Sequence, residues 1–260
     1  GRMDYQTLIV TEEDGVGTIT LNRPTLMNAL NTQMRAEILH AVRDLGTRMR
    51  VLVMTGAGRA FCSGQDLGGG VPVDQLDLER ILREEYEPML RAIADCPVPV
   101  IAAVNGAAAG AGANLALAAD VVIAARSAVF LQAFARIGLI PDAGGTYWLP
   151  RQVGFARAMG QALFADKVTA DDAVAMGLIW EVFADEDFDA GWRARAGQLA
   201  KGPSVAYRAV KQAMRASLSN NFDQQLALEA RLQGECGKSR DFLEGVMAFL
   251  EKRPAQFEGR

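Results

Sequence analysis

Short apolar runs recur through the first two thirds of the chain and predict the strands of a sheet. Residues 8–10 and 16–21 flank Asp14-Gly15, a dipeptide typical of hairpin turns, and so predict two antiparallel strands. The continuous apolar run 51–55 predicts a buried strand. Further strands are predicted at residues 99–104, 121–124 and 129–131, and residues 177–179 are expected to form a strand or a turn.

Amphipathic spacing predicts helices between these strands. Apolar side chains from Met34 to Leu45 recur at helical intervals within residues 32–48. Residues 77–95 form a second, more charged segment in which Pro88 predicts a kink or break. Shorter helices are predicted at residues 114–119, 154–165 and 170–176.

The pattern changes near residue 185. From there on only amphipathic helices are predicted, at residues 188–199, 205–218, 222–236 and 239–250. Alternating strands and helices followed by helices alone are typical of an α/β core with a helical appendage. We therefore predict a core over residues 3–184 and a helical region over residues 185–260.

The composition is that of a folded globular protein. Half of the 260 residues are hydrophobic, 22% are charged and the net charge is −4. No basic stripe or Lys/Arg cluster favours nucleic acid or a membrane surface as a partner, and no apolar run approaches the roughly 20 residues of a membrane span. We also expect no secretory leader. Cys62, Cys96 and Cys236 are odd in number and widely spaced, which favours reduced thiols in a cytoplasmic protein.

Several common catalytic motifs are missing from the sequence. It contains no complete dinucleotide fingerprint, no phosphate-binding GxxxxGK[ST] loop and no GxSxG elbow. His40 is the single histidine, so neither a Ser–His pair nor a multi-histidine metal site is expected.

Residues 105–116 join a predicted strand to a predicted helix through glycines and alanines. Such a turn leaves backbone N–H groups unpaired, and the helix dipole adds positive potential at the same point. Paired amides of this kind stabilise a developing oxyanion, by roughly 3 kcal/mol each. The alternative is close helix–strand packing, and this stretch alone favours that explanation.

Three loops share this composition, at residues 61–67, 105–114 and 138–146. The third contains a single carboxylate, Asp142, between a proline and a double glycine. A turn aspartate commonly caps a helix or bonds its own backbone. The functional alternative is a general base beside an oxyanion hole, because apolar neighbours would raise its pKa toward the useful range.

Motifs along nearly the whole chain support a more specific assignment. They are Asn22-Arg-Pro24 with Asn28-Ala-Leu30, Thr55-Gly-Ala-Gly-Arg-Ala-Phe61, Ser63-Gly-Gln-Asp66, Ala103-Val-Asn-Gly106, Ala119-Asp120 and Gly144-Gly-Thr146. Together they resemble the enoyl-CoA hydratase/isomerase (crotonase) family. The resemblance implies an α/β fold with a crotonase-like ββα spiral core and a C-terminal helical trimerisation region, assembled as a homotrimer or dimer of trimers.

The resemblance also implies a substrate and a site. The substrate is an acyl-CoA, and no metal or other cofactor is implied, because coenzyme A is part of the substrate. Two backbone N–H groups hold the thioester enolate, and by position they belong to Gln65 and Ala111. Contacts with the CoA side are implied for Ser63, Gly64, Asp66 and Leu67.

Two positions depart from the family's hydratases, which carry a glutamate at each. Here they hold Asn114 and Phe134, so the acid pair for adding water is missing. Asp142 remains, where some isomerases of the family carry their acid, and one carboxylate suits moving a proton between two carbons. The acyl group is expected among Phe134, Ile137 and Leu139. Asn114 is expected either to bind a substrate oxygen or a water, or to be a structural amide.

Further segments refine the expected reaction. Residues 123–128, 139–146, 157–159 and 244–253 are similar to those of the family's ring-epoxide isomerases of phenylacetyl-CoA breakdown. We therefore expect an isomerase that converts ring-1,2-epoxyphenylacetyl-CoA to oxepin-CoA. The alternatives are a Δ3,Δ2-enoyl-CoA isomerase or hydratase-like enzyme of fatty acid oxidation, and a catalytically inactive acyl-CoA-binding paralogue.

Overall fold

Two β-sheets form the centre of the fold. The computed structural model describes residues 4–260, so Met3, the first residue of the predicted core, lies outside the described part. The larger sheet has the strand order β1 (Leu8–Glu13), β2 (Val16–Leu21), β3 (Val51–Gly56), β5 (Val100–Val104), β7 (Val121–Ala125) and β10 (Glu181–Phe183). The smaller sheet has the order β4 (Ala60–Cys62), β6 (Ala107–Ala109), β8 (Val129–Leu131) and β9 (Val168–Thr169).

From β3 to β8, consecutive strands alternate between the two sheets. The β1–β2 hairpin is antiparallel, as Asp14-Gly15 predicted, and the other pairs of the larger sheet are parallel. In the smaller sheet β4, β6 and β8 run parallel, and β9 is antiparallel to β8. After β3, β5 and β7 the chain crosses to the smaller sheet and then forms helices. The expected ββα spiral is therefore confirmed.

Eleven α-helices accompany the sheets within the described residues. They are α1 (Thr32–Gly46), α2 (Leu78–Ile81), α3 (Glu87–Asp95), α4 (Ala111–Leu117), α5 (Gly145–Val153), α6 (Phe155–Phe164), α7 (Ala170–Ala175), α8 (Phe188–Ala200), α9 (Ser204–Ala216), α10 (Phe222–Gly237) and α11 (Arg240–Glu251). A π-helical turn, Leu82–Tyr86, separates α2 from α3. It ends two residues before Pro88, so the predicted break is present.

Some elements differ from the sequence-based expectation. The three-residue strands β4 and β6 and helix α5 were not predicted. Helix α4 begins at Ala111, three residues before the predicted start. Residues 177–179 form a turn, and β10 follows only at Glu181.

Helix α8 covers the face of the larger sheet opposite the main core. Phe188 and Trp192 are buried in a cluster with Val53, Ile101 and Ile123 of β3, β5 and β7. The predicted boundary at residue 185 therefore falls between the last strand and a helix that still packs on the sheet. Within the described residues no helix combines the length and apolar character needed to cross a membrane.

Asp120 attaches the C-terminal helices to the core. Its carboxylate accepts from Val100 N at 2.8 Å and pairs with Lys211 Nζ at 2.8 Å and Arg215 Nη2 at 2.7 Å. The Lys211 side chain is only 7% exposed, so this pair is nearly desolvated. Removing one partner of a buried pair leaves the other charge uncompensated.

Asp120→Asn is therefore expected to lower the free energy of unfolding by about 2–4 kcal/mol, because Lys211 and Arg215 keep their charges without a carboxylate. Chemical denaturation measures this directly. Asp171→Asn is the matched control, since Asp171 pairs with Arg126 at 3.4 Å on an exposed surface and should cost less than about 1 kcal/mol. Equal effects of the two substitutions would contradict the expectation.

Candidate active site

The N terminus of α4 presents unpaired backbone amides. Gly110 caps the helix with φ 57° and ψ −129°, and its own N–H donates to Leu131 O at 2.8 Å. The Ala111 N–H, the first of the helix, donates to none of the other residues that the structure describes. Such a group is available to an incoming acceptor.

The loop after β4 brings the Gln65 amide close to this helix start. Gly64 has φ 101°, and a Cβ added there would lie 2.9 Å from Ala109 O and 3.4 Å from Ala111 N. Only glycine allows this backbone and this approach. Leu30 N donates to Gly64 O at 2.7 Å, while the Gln65 N–H has no acceptor among residues 4–260. The two amides predicted to form the oxyanion hole thus belong to neighbouring segments.

Close packing, the alternative explanation for the glycine-rich stretch, is present as well. A Cβ at Gly112 would overlap the Cys62 carbonyl, coming within 2.7 Å of its carbon. Cys62 is buried and donates from Sγ to Asn28 O at 3.2 Å, and burial raises the pKa of its thiol to about 12. Close packing against β4 and free amides at the start of α4 therefore coexist.

Asp142 is a largely buried carboxylate without a full set of partners. Its Oδ1 is buried and has no hydrogen-bond partner among the described residues. Burial raises the pKa of Asp142 from 3.8 to about 6. Its backbone is fixed, because Asp142 O accepts from Asn114 Nδ2 at 2.8 Å and from Gly145 N at 2.9 Å. A carboxylate held in this way can exchange a proton near neutral pH.

Tyr86 is hydrogen-bonded to the Gln65 side chain, and the charge of Asp142 affects its pKa. Burial raises the pKa of Tyr86; the charge of Arg35 opposes that rise and the charge of Asp142 adds to it. The Tyr86 hydroxyl in turn donates to Gln65 Oε1.

Asn114 is fully buried and fixes the Asp142 loop from inside. Its Nδ2 donates to Gln132 Oε1 at 3.0 Å and to Asp142 O, while its Oδ1 accepts from Gln132 Nε2 at 2.8 Å. Both of its amide hydrogens are used within the protein. These contacts favour the structural-amide alternative, and contact of Asn114 with substrate or water stays a prediction.

The three predicted acyl neighbours lie in different environments. Phe134 is buried, and its Cζ is 3.7 Å from the position of a Cβ at Gly110, the cap of α4. Leu139 is half-buried, and its N–H donates to Phe134 O at 3.0 Å. Ile137 is 62% exposed on the 3-10 turn Ala133–Ile137. Among the three, the described contacts place Phe134 beside the α4 amides.

Of the remaining predicted binding residues, Asp66 and Leu67 line an open groove. Asp66 pairs with Arg23 at 2.9 Å and accepts from Gly68 N at 2.8 Å. Burial alone would raise the pKa of Asp66, but these hydrogen bonds hold it below its ordinary value. Ser63 and Leu67 are exposed. A cavity of about 530 Å³ is lined by residues that include Arg23, Gln65, Asp66, Leu67, Leu76 and Arg80.

Sequence reasoning missed three residues of this region, Arg35, Glu85 and Tyr86. Arg35 is buried although it is charged, and it pairs with Glu85 at 2.9 Å. The one indication in the sequence was the break near Pro88, where the π-helical turn presents Glu85 and Tyr86. No group of three His, Cys, Asp or Glu side chains in residues 4–260 could hold a metal ion.

The raised pKa of Asp142 predicts a pH-dependent stability. The folded protein holds this proton more tightly than the unfolded chain does, so protonation of Asp142 stabilises the fold. This contribution to the free energy of unfolding is fully present below pH about 4 and is lost as pH rises through about 6. Between pH 4 and 7, the free energy of unfolding of wild type should fall by about 1–2 kcal/mol relative to that of Asp142→Asn. This value is discounted because the Asp142 carboxyl is partly exposed. Urea unfolding of both proteins across that range measures it. A parallel pH dependence of the two would contradict it.

Comparison with known proteins places the chain among related sequences and structures. A family model described as enoyl-CoA hydratase/isomerase matches residues 11–260. A probable enoyl-CoA hydratase of Rhodobacter capsulatus is 64% identical, with 99% of this chain and 100% of that protein covered. The 1,2-epoxyphenylacetyl-CoA isomerase of Escherichia coli K12 is 46% identical, with 95% and 97% covered. The crystal structure of an enoyl-CoA hydratase from Bacillus anthracis is 30% identical, has a TM-score of 0.92, and covers 98% of this chain and 100% of that one.

Proposed function

Since the chain belongs to the enoyl-CoA hydratase/isomerase family, we propose that it is an acyl-CoA isomerase that converts 2-(1,2-epoxy-1,2-dihydrophenyl)acetyl-CoA to the seven-membered oxepin-CoA. The single observation that carries this proposal is the lone acid. Asp142 has a raised pKa and an unpartnered buried oxygen, whereas the positions of the hydratase glutamates hold an amide and an aromatic ring. The 46% identical isomerase supports the choice of substrate.

In the proposed reaction, Asp142 and the two amides have separate tasks. Asp142 takes the proton from the carbon next to the thioester, and the C–H electron pair moves into the C–C bond while the carbonyl π electrons move onto oxygen. The N–H groups of Gln65 and Ala111 hydrogen-bond that oxygen. The carbon–carbon bond shared by the epoxide and the ring breaks as new π bonds form, which widens the ring to include the oxygen, and Asp142 returns its proton at a distant ring carbon. Substrate and product are isomers, so water is not consumed.

The same proposal fixes the partners and the setting of the enzyme. Coenzyme A enters with the substrate, and proton transfer to a carboxylate requires no metal or redox cofactor. Neither nucleic acid nor a membrane is a proposed partner. The three cysteines are free, in keeping with a proposed cytoplasmic location.

Self-association is proposed for the C-terminal region. Large apolar side chains are exposed on α10 and α11, among them Phe222 at 75%, Phe242 at 56% and Phe249 at 83%. Apolar surface of this extent is unusual on a monomer. We propose a homotrimer or a dimer of trimers, and sedimentation equilibrium would give the mass of the assembly.

A panel of thioesters tests the proposed reaction. The purified protein is incubated with the ring epoxide, with a 3-enoyl-CoA and with a 2-enoyl-CoA, and products are followed by mass and ultraviolet spectrum. Conversion of the epoxide at unchanged mass supports the proposal. A gain of one water on the 2-enoyl-CoA, without isomerisation of the others, would overturn it in favour of a hydratase.

The second candidate is a Δ3,Δ2-enoyl-CoA isomerase of fatty acid oxidation. It is favoured by the same lone carboxylate, because shuttling one proton between two carbons does not require a ring. Turnover of the 3-enoyl-CoA alone would select it. Binding of all three thioesters without exchange of the α-proton would instead indicate an inactive acyl-CoA-binding paralogue.

A further inference from the structure

A buried polar network lies behind the Gln65 amide. Gln65 Oε1 accepts from the Tyr86 hydroxyl and, at 3.0 Å, from Arg35 Nη1. The same Arg35 Nη1 donates to Leu30 O at 2.8 Å. Arg35 and Tyr86 are each 2% exposed, so this network is shielded from water. Hydrogen bonds in such surroundings hold their partners more firmly than surface ones do.

Glu85 completes the network. It balances the charge of Arg35 through hydrogen bonds of 3.1 Å to Nε and 2.9 Å to Nη2. The Arg35 guanidinium carbon also lies 4.8 Å from the centre of the Tyr86 ring. Both Glu85 and Tyr86 lie in the π-helical turn Leu82–Tyr86, an irregularity often found at functional sites.

We propose that Tyr86 and Arg35 are positioning residues that aim the Gln65 N–H at the thioester oxygen, an inference that rests on the proposed isomerase function. The backbone on both sides of this amide is tied to Leu30, through Leu30 N to Gly64 O and Asp66 N to Leu30 O at 2.9 Å. Those bonds leave the Gln65 side chain as the third point of attachment.

The Gln65 side chain has to provide this third attachment because glycines on both sides of the amide leave the backbone free to move. Gly64 precedes the amide with a positive φ, and residues 68–70 after it are three exposed glycines. Glycine restricts the backbone least of all residues. Arg35 bonds both Leu30 O and Gln65 Oε1, so one guanidinium fixes both sides of the bridge between residues 30 and 65.

The carbonyl stretch of a bound thioester tests this role. Phenylacetyl-CoA carrying ¹³C at the thioester carbonyl lacks the epoxide and reports polarisation of its C=O by infrared difference spectroscopy. The band should move to lower frequency on binding to wild type, and by less on binding to Tyr86→Phe. With the reactive substrate, Tyr86→Phe should lower kcat roughly tenfold while KM changes less than about twofold, as for one lost hydrogen bond.

Gln65→Met provides a second, independent variant. It keeps the backbone amide but removes the acceptor, so it should show the same reduced band shift, and the double variant should lose little more. Tyr5→Phe is the matched control, since the Tyr5 hydroxyl is hydrogen-bonded to His40 on the surface, at 2.7 Å, and its removal should leave the band unchanged.

The possible outcomes separate this inference from the proposed function. A wild-type band shift that persists in both Tyr86→Phe and Gln65→Met would overturn the positioning role while leaving the oxyanion hole in place. No band shift in wild type would overturn the oxyanion hole itself.

Discussion

Asp142→Asn is expected to lower kcat for isomerisation by about 10²- to 10⁴-fold, the range that a positioned acid or base contributes. The amide keeps the size of the carboxyl group but cannot accept a proton. The backbone that holds residue 142 is anchored by Asn114 and Gly145 through its carbonyl oxygen, so it should stay in place. Turnover of the ring epoxide and binding of an unreactive thioester, both measured at pH 8, separate chemistry from affinity.

Asp166→Asn serves as the control for this experiment, because Asp166 is exposed and lies on the loop before β9. It should leave kcat and affinity near wild type. Full activity of Asp142→Asn would contradict the assignment of Asp142 as the acid. Loss of thioester binding together with activity would show that the residue holds the substrate instead.

Ala111→Pro is expected to lower kcat by about 10²- to 10³-fold by deleting one oxyanion donor. Ala111 is the first residue of α4, a position at which proline is well tolerated because its N–H makes no bond within the helix. The substitution therefore removes the hydrogen-bond donor and retains the helix. Steady-state kinetics together with circular dichroism measure the two properties.

Phe155→Pro is the matched control. Phe155 is the first residue of α6 and, like Ala111, follows a cap glycine with positive φ, but its side chain is 72% exposed. It should change neither helicity nor kcat appreciably. If Ala111→Pro kept its helices and its full turnover, the Ala111 amide would not be an oxyanion donor.

The parts of the fold that sequence predicted are those with strong periodicity. Strands β1, β2, β3, β5 and β7 and helix α1 have apolar patterns long enough to identify them. Strands β4 and β6 were not predicted because each has three residues, too few to show an alternation, and neither contains a β-branched residue. Helix α5 was not predicted because it starts at Gly145 and contains Pro150, and glycine and proline are both poor helix formers.

Within the candidate site, sequence predicted the loops better than the supporting contacts. The free amides of Gln65 and Ala111 and the buried carboxyl of Asp142 all lie in, or directly after, loops rich in glycine. The pairing of Asn114 with Gln132 joins residues 18 positions apart, and that of Arg35 with Glu85 spans 50. Contacts between residues so far apart in sequence form only in the packed fold, so no local sequence pattern predicts them.

The candidate site combines backbone groups with one side-chain group. The amides of Gln65 and Ala111 are main-chain groups, and Gly64 and Gly112 admit no larger residue without rebuilding the neighbouring backbone. The acid, Asp142, is a single side chain on a loop, and the buried Asn114 amide, which is paired with Gln132, holds the backbone of that loop. We therefore expect the reaction type on this scaffold to change when side chains around these two amides are replaced, which makes the position of the acid, rather than the amides, the feature to alter in engineering new chemistry.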